Sequence, residues 1–391
     1  MIVMKRLSFI ACIAMMVAGC SGGSDSKSST EQIDLKQRNE VLLSTGMIYY
    51  GHDPEEAFDD MYYAFVADEK EMAEASAKAL ADFKTKVAAL SKEDRAFLKG
   101  VYSDYADLAD MANYAYKDSD VKLPKGWTDL GAKDAKLAAI IDKYSVSGFL
   151  PTGLKCSLMA KGDRQALVFA GTDFPANWTN PKQVMDFIID AYEDVDGAMN
   201  DEATQFVLAC RLVDELIDNG YVKVDNLEFA GHSLGGRLAS EMAVQYGCPA
   251  VLFNAAGVSP EIYDNYEKAR KAAGNDWRCY IVDVIAANDP LTCGLKYMSG
   301  ESDPFVSTAA NALSMDKGAL DGILSLAGAV VGNLAGDSMK GLPDAFGGLV
   351  DEYYDRDYRA LGAKMPIRED MAGHGVTELA AALRNRAVMC D

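Results

Sequence analysis

The stretch from Val222 to Tyr246 constrains the fold more than any other. Val222 to Ala230 reads as a strand, Gly235 to Tyr246 reads as a helix ended by Gly247, and only Gly231-His232-Ser233-Leu234 stands between them. A chain that leaves a strand and enters a helix in so few residues must turn sharply. The positions two before and two after the apex then come into contact with each other. Glycine at 231 and 235 answers that requirement, and Ser233 at the apex is held out on a strained backbone. A G-x-S-x-G run on its own is a modest signal, and its placement between strand and helix strengthens it considerably.

The flanking chain repeats the same grammar. Gly153 to Met159 and Gln165 to Ala170 read as two paired strands around the turn Lys161-Gly162-Asp163, followed by helical stretches from Val184 to Tyr192 and Ala203 to Ile217. Pro249 to Asn254 and Cys279 to Ala286 read as further strands with a helical segment between them. These strands are continuously apolar rather than strictly alternating, and they alternate with helices. Both features predict a mainly parallel sheet covered by helices on its two faces. Before the sheet, Asp53-Pro54-Glu55-Glu56 and Ser91-Lys92-Glu93-Asp94 read as helix starts, and Phe97, Leu98, Val101, Tyr102, Tyr105, Leu108 and Met111 recur at helical spacing. An N-terminal helical region at 46–145 and an α/β core at 146–391 are expected.

A serine hydroxyl becomes a nucleophile only when a base takes its proton and an acid orients that base. The chain has three histidines. His232 lies inside the turn and cannot fold back onto its neighbour Ser233, while His52 precedes the sheet. His374, flanked by Gly373 and Gly375 before the last helix, is left as the base. Asp283 within the strand Tyr280 to Ala286 and Asp289 just past its end are the candidate acids. Functional groups gather at the carboxyl ends of parallel strands, which favours Asp289. The order Ser233, Asp289, His374 is the one that hydrolases with this turn use. Backbone N–H groups must hold the developing oxyanion; Leu234, the residue after the nucleophile, supplies one, and the loop after Phe169-Ala170-Gly171-Thr172 is placed to supply the other.

With these pieces the chain resembles the class 3 lipases, an α/β-hydrolase family. The resemblance rests on Gly231-His232-Ser233-Leu234-Gly235-Gly236, on the helix ending Tyr105-Ala106-Asp107-Leu108-Ala109, and on Phe169-Ala170-Gly171-Thr172 with Trp178 beyond it. It also rests on Asn288-Asp289-Pro290. It implies Ser233, Asp289 and His374 as the triad, Thr172 and Leu234 as oxyanion donors, a lipid or other ester as substrate, and no cofactor. Ala170 stands where the family often has arginine. A catalytically silent binding protein, or a triad hydrolase acting on thioesters or amides, are the alternative functions that this fold would also carry.

The remaining signals concern location and entrance. Lys5 and Arg6 precede an apolar run, Leu7 to Ala18, that is shorter than the ~20 residues a membrane span needs. It ends in Val17-Ala18-Gly19-Cys20, which resembles the lipobox of bacterial lipoproteins. Residues 1–19 are therefore expected to be a signal peptide, Cys20 to carry lipid, and the Ser/Gly-rich stretch within 20–45 to tether the body to the cell envelope, at the outer membrane. Loss of Lys5 and Arg6 moves the net charge from −21 to −23. So acidic a body repels nucleic acid and anionic headgroups, leaving the lipid anchor or apolar contact to hold it at a membrane. Cys156, Cys210, Cys248, Cys279, Cys293 and Cys390 have no close metal-site spacing, and outside the cytoplasm their even number permits disulfides of unassigned pairing. Residues 307–349 are small and apolar, with Gly328, Gly332 and Gly336 at every fourth position. They read as a close-packed helical insertion, with a lipid-facing lid as the alternative. The acidic Asp194-Val195-Asp196-Gly197 lacks the ligand set of a calcium loop and reads as solvated.

Overall fold

The computed structural model describes residues 41–49, 69–117, 121–147, 150–151, 154–171, 204–258, 263–266, 268, 280–286, 289, 361–369 and 374–391. The expected signal peptide, lipid site and tether at 1–40, the helix start at Asp53, the helical stretch 184–192 and the acidic loop near Asp194 lie outside these residues. So do His52, Thr172, Trp178, Asn288 and the 307–349 insertion.

After a short helical stretch at 41–44, two helices follow, α1 (Glu69–Ala88) and α2 (Lys92–Tyr114). The start expected at Ser91 is an N-cap in the structure: its hydroxyl oxygen accepts the Asp94 N–H at 3.0 Å, satisfying one of the amides that a first helical turn leaves open. The face Leu98, Val101, Tyr102, Tyr105, Leu108 and Met111 is fully buried, as its spacing predicts. A short strand β1 (Thr128–Asp129), helix α3 (Ala135–Ser145) and a small hairpin, β2 (Val146–Ser147) with β3 (Leu150–Pro151), come next. Then follow β4 (Cys156–Lys161), β5 (Arg164–Phe169), α4 (Thr204–Asp218), β6 (Leu227–His232) and α5 (Leu234–Tyr246). The described chain ends through β7 (Ala250–Phe253), β8 (Ile281–Ala286), β9 (Ala363–Ile367) and α6 (Val376–Met389).

Among the described residues seven strands form one sheet in the order β1-β4-β5-β6-β7-β8-β9. β4 and β5 pair antiparallel, as the hairpin around Gly162 predicts, β1 adds antiparallel to β4, and every pair from β5 to β9 is parallel. Strand residues divide by parity between two apolar layers. Ala166, Val168, Ala230, Val251, Phe253, Val282 and Val284 face α1, α2 and α6. Leu167, Phe169, Leu227, Phe229, Leu252 and Ile281 face α3, α4 and α5. Burial on both sides is why the strands read as unbroken apolar runs rather than as alternation. Helix α2, from the expected N-terminal helical region, lies directly on β5, β6 and β7 and packs along α6.

β1 and β9 were not anticipated from the sequence. β1 is two residues long, and Ala363-Lys364-Met365-Pro366-Ile367 carries a lysine and a proline that argue against a strand. β9 tolerates its proline because it is the last strand of the sheet. Its outer side is covered by one antiparallel bridge in which Tyr49 and Lys364 exchange backbone hydrogen bonds of 3.1 and 3.0 Å. Beside it, Arg386 of α6 forms a buried double contact with Glu369, and its guanidinium lies 4.7 Å from the ring of Phe83 and 5.6 Å from that of Tyr102. One arginine thereby joins α1, α2, α6 and the loop after β9. Burial alone would push the Glu369 carboxyl up, yet the adjacent Arg386 charge prevails and holds it below the ordinary range. Cys156, Cys210, Cys248 and Cys390 are unbridged thiols, and Cys279 and Cys293 lie outside the described residues. Among the described residues no helix is long and apolar enough to cross a membrane.

Candidate active site

Ser233 sits between β6 and α5 with φ 57° and ψ −126°, a backbone conformation that non-glycine residues rarely adopt. Its N–H donates to Phe253 O at 3.1 Å and its carbonyl accepts from Gly236 N at 2.9 Å and Ala256 N at 3.1 Å. The strained residue is thus held from both sides. A Cβ at Gly231 would collide with the Gly235 carbonyl, and one at Gly235 would lie 2.5 Å from Ala170 O. One at Gly236 would come within 2.7 Å of Ala255 Cβ. The glycines expected from the turn's geometry are therefore required by it, and Gly236 adds a third. Leu234 is the first residue of α5, so its N–H belongs to the set that no carbonyl of the helix satisfies, at the positive end of the helix dipole.

Asp289 follows β8 and is fully buried, with its N–H donating to Ala286 O at 3.1 Å. Asn254, just past β7 and also buried, accepts the Ala286 N–H at 2.9 Å through its side-chain oxygen and so fastens the strand end from which Asp289 departs. His374 precedes α6, and its Nδ1 lies 2.7 Å from Asp289 Oδ1. A carboxylate only accepts, so Nδ1 carries the proton and Nε2 is left with its lone pair. The rings of His374 and His232 are 4.7 Å apart, and His232 is the residue before Ser233. His374 and Asp289 thus meet beside the residue that precedes Ser233, near the carboxyl ends of β6 and β8. Thr172, the expected second oxyanion donor, lies outside the described residues. Gly171 before it is buried against the elbow, where an added Cβ would be 2.5 Å from His232 O and 2.8 Å from Ser233 Cβ.

Asp283, the other candidate acid, points elsewhere. It is fully buried, registers with Leu252 and Lys364 across the sheet, and accepts the Ala255 N–H at 3.4 Å. Burial pushes its carboxyl up to about 7 despite the nearby Lys364 ammonium, and burial pushes Lys364 down to about 8. Two residues escaped the sequence reading. Asn254, at φ 44°, gives no sequence signal beyond its tolerance of that conformation. Tyr116 donates toward His232 Nδ1 across 2.7 Å from just beyond α2, a contact between residues far apart in the chain. Among the described residues no group of three or more His, Cys, Asp or Glu is arranged to hold a metal ion.

The sheet order and the strand-serine-helix turn define an α/β-hydrolase fold. Residues 105–339 match the family described as Phospholipase-like, Tle-like phospholipase domain. That is more than half of the chain, and the chain belongs to this family. A shorter likeness is to the extracellular phospholipase A1 of Serratia liquefaciens, at 34% identity over 109 residues, 28% of this chain and 29% of that protein. The match thus spans less than a third of that relative's length.

Proposed function

We propose that the protein is a phospholipase-type serine hydrolase that cleaves carboxylic esters of lipids through Ser233, His374 and Asp289. The observation that carries this reading is the His374–Asp289 pair, with the His374 ring 4.7 Å from that of His232, the residue before a serine held at φ 57° between strand and helix. His374 Nε2 takes the Ser233 hydroxyl proton as Oγ attacks the ester carbonyl carbon, and Asp289 stabilises the imidazolium that forms. The negative charge moves to the carbonyl oxygen, which the N–H groups of Leu234 and Thr172 receive. Collapse breaks the ester C–O bond; the leaving alcohol takes the proton from His374 and departs, with an acyl-serine left behind. Water then gives a proton to His374, attacks the acyl carbon and releases the fatty acid, restoring the serine. Membership of a phospholipase family and the partial likeness to a phospholipase A1 favour a phospholipid ester over a thioester or amide. The class 3 lipase resemblance of the elbow agrees with that choice.

The same reading includes an anchor. Lipid on Cys20 would keep the acidic body beside its substrate in the bacterial envelope at the outer membrane, where its own charge would otherwise repel it from anionic headgroups. The test is a fluorophosphonate probe applied to the full chain and to Ser233→Ala, with fatty acid release from phospholipid in mixed micelles measured in parallel. Labelling and release confined to the wild type are expected. Equal labelling of both, or release by Ser233→Ala at the wild-type rate, would remove Ser233 as the nucleophile.

A further inference from the structure

The histidine that the catalytic reading leaves without a role occupies a built position. His232 is buried, and both of its ring nitrogens are engaged: Nδ1 lies 2.7 Å from the Tyr116 hydroxyl and Nε2 lies 2.6 Å from the backbone oxygen of His374. A carbonyl oxygen can only accept, so Nε2 carries the hydrogen. A neutral imidazole has one such hydrogen, so Nδ1 presents a lone pair and the Tyr116 hydroxyl donates to it. The tyrosine therefore selects the tautomer that can hold His374.

We propose that His232, oriented by Tyr116, is a positioning residue that ties the backbone of the base His374 to the peptide next to the nucleophile. The inference rests on the reading of Ser233 and His374 as nucleophile and base. One peptide bond separates His232 from Ser233, so the hydrogen bond from its ring to the His374 carbonyl fixes serine and base relative to each other through a single side chain. Asp289 orients the imidazole of His374 from its other side, and the two contacts together leave the residue little freedom of translation. Helix α2 reinforces the arrangement near its C-terminal end. Asn113 Nδ2 donates to Thr377 Oγ1 at 3.0 Å, three residues past His374, while Tyr116 lies close enough to Gly171 that a Cβ there would be 2.6 Å from its hydroxyl. The chain at the end of α2 thus touches the first turn of α6, the elbow and the strand end that precedes Thr172.

The protonation state of His232 suits this task. Its ring is 4.7 Å from that of His374, which becomes an imidazolium during catalysis, and a second cation at that distance would oppose the proton transfer. Burial, with a smaller contribution from His374, pushes His232 down to about 3, so it stays neutral while its neighbour takes up the Ser233 proton.

Three variants of the full chain test the proposal: His232→Leu, which removes the donor; His232→Gln, whose carboxamide nitrogen sits where Nε2 was; and Tyr116→Phe, which loses only the hydroxyl. Steady-state kinetics on a soluble short-chain ester are measured beside thermal midpoints. A displacement of about 1 Å between reacting groups costs on the order of 100-fold. His232→Leu is accordingly expected to lose about 100-fold in kcat with KM nearly unchanged, and His232→Gln to regain most of that loss. Tyr116→Phe is expected to lose about fivefold, the worth of one hydrogen bond. The proposal is overturned if His232→Leu keeps a kcat near the wild type. It is equally overturned if His232→Gln is no better than His232→Leu at an unchanged midpoint. Should His232→Leu not fold, the other two variants decide: a wild-type kcat in Tyr116→Phe together with a loss in His232→Gln as deep as in Ser233→Ala rejects the role. Fluorophosphonate labelling of Ser233 separates the two failures, because unimpaired kinetics in labelled His232 variants reject the positioning role alone. Absence of Ser233-dependent labelling in the wild type rejects the catalytic reading and this inference with it.

Discussion

His374 Nδ1 meets Asp289 Oδ1 at 2.7 Å, and the aspartate is fully buried while the imidazole is about a quarter exposed. The buried carboxylate is the fixed partner, and it sets which nitrogen of the imidazole carries the proton. Asp289→Asn keeps the shape but presents an amide that no longer requires Nδ1 to carry the proton. The expected outcome is a fall in kcat on the order of 10⁴-fold with the fold retained. Steady-state hydrolysis of a soluble ester, with circular dichroism as the control for folding, checks it.

The conformation of Ser233 makes a separate prediction about stability. At φ 57° and ψ −126° a side chain is strained by about 1–3 kcal/mol, and alanine at this position keeps that strain while glycine removes it. Glycine also brings a looser unfolded chain, worth about 0.5–1 kcal/mol in the opposite direction. The first effect is the larger. Ser233→Gly is expected to be more stable than Ser233→Ala by about 1 kcal/mol in denaturant unfolding, although both are inactive. Equal midpoints would mean that the elbow is not strained.

How much of this was legible beforehand follows from where each signal lives. β6, the elbow and α5 could be read because their constraints are local: two glycines, a continuous apolar run and a helix start within one stretch of chain. The pairing of Asp289 with His374 could be read because few residues of the right type were available and the order of the chain restricted them further. β9 could not be read, since its lysine and proline make sense only at the sheet edge beside Tyr49. Tyr116, Asn254 and the contact of Arg386 with Glu369 were hidden for a related reason. Each is defined by a partner brought near by the tertiary fold, and nothing in the surrounding residues marks it. The sequence reading set the conspicuous His232 aside as base, but its partners could not be named from sequence.

The glycines of the elbow and those of the loops predict opposite sensitivities. Gly231→Ala and Gly235→Ala would drive a methyl group into backbone carbonyls that cannot move without dismantling the turn, and Gly171→Ala would strike His232 O, Tyr116 Oη and Ser233 Cβ at 2.5, 2.6 and 2.8 Å. Overpacking of this kind costs about 1–3 kcal/mol or more, and here it also displaces Ser233. Gly247 and Gly220 have φ of 70° and 73° with nothing within 4 Å of an added Cβ. Alanine there costs only the left-handed conformation, about 1–2 kcal/mol. Purified variants at 171, 231 and 235 are expected to lose esterase activity, and those at 220 and 247 to keep it with a modestly lower thermal midpoint.

Asp283 gives the stability of the fold a pH dependence of known sign. Its folded-state carboxyl titrates near 7 against an ordinary value of 3.8, because burial outweighs the attraction of Lys364 and Asp289 adds a smaller push in the same direction as burial. Between those two values the folded chain holds a proton that the unfolded chain has released, so raising the pH through this window favours unfolding. The contribution of this carboxyl to stability is therefore largest below about 4 and is lost progressively up to about 7. Asparagine cannot ionise, so Asp283→Asn should gain stability relative to the wild type as pH rises across the same interval. Denaturant unfolding of both proteins at a series of pH values reads that difference directly. A difference that stays flat from pH 4 to 7 would show that Asp283 is already charged in the fold. Asp283 lies within β8 and accepts the Ala255 N–H, whereas Asp289 meets His374, so the same variant is expected to retain esterase activity and Asp289→Asn is not.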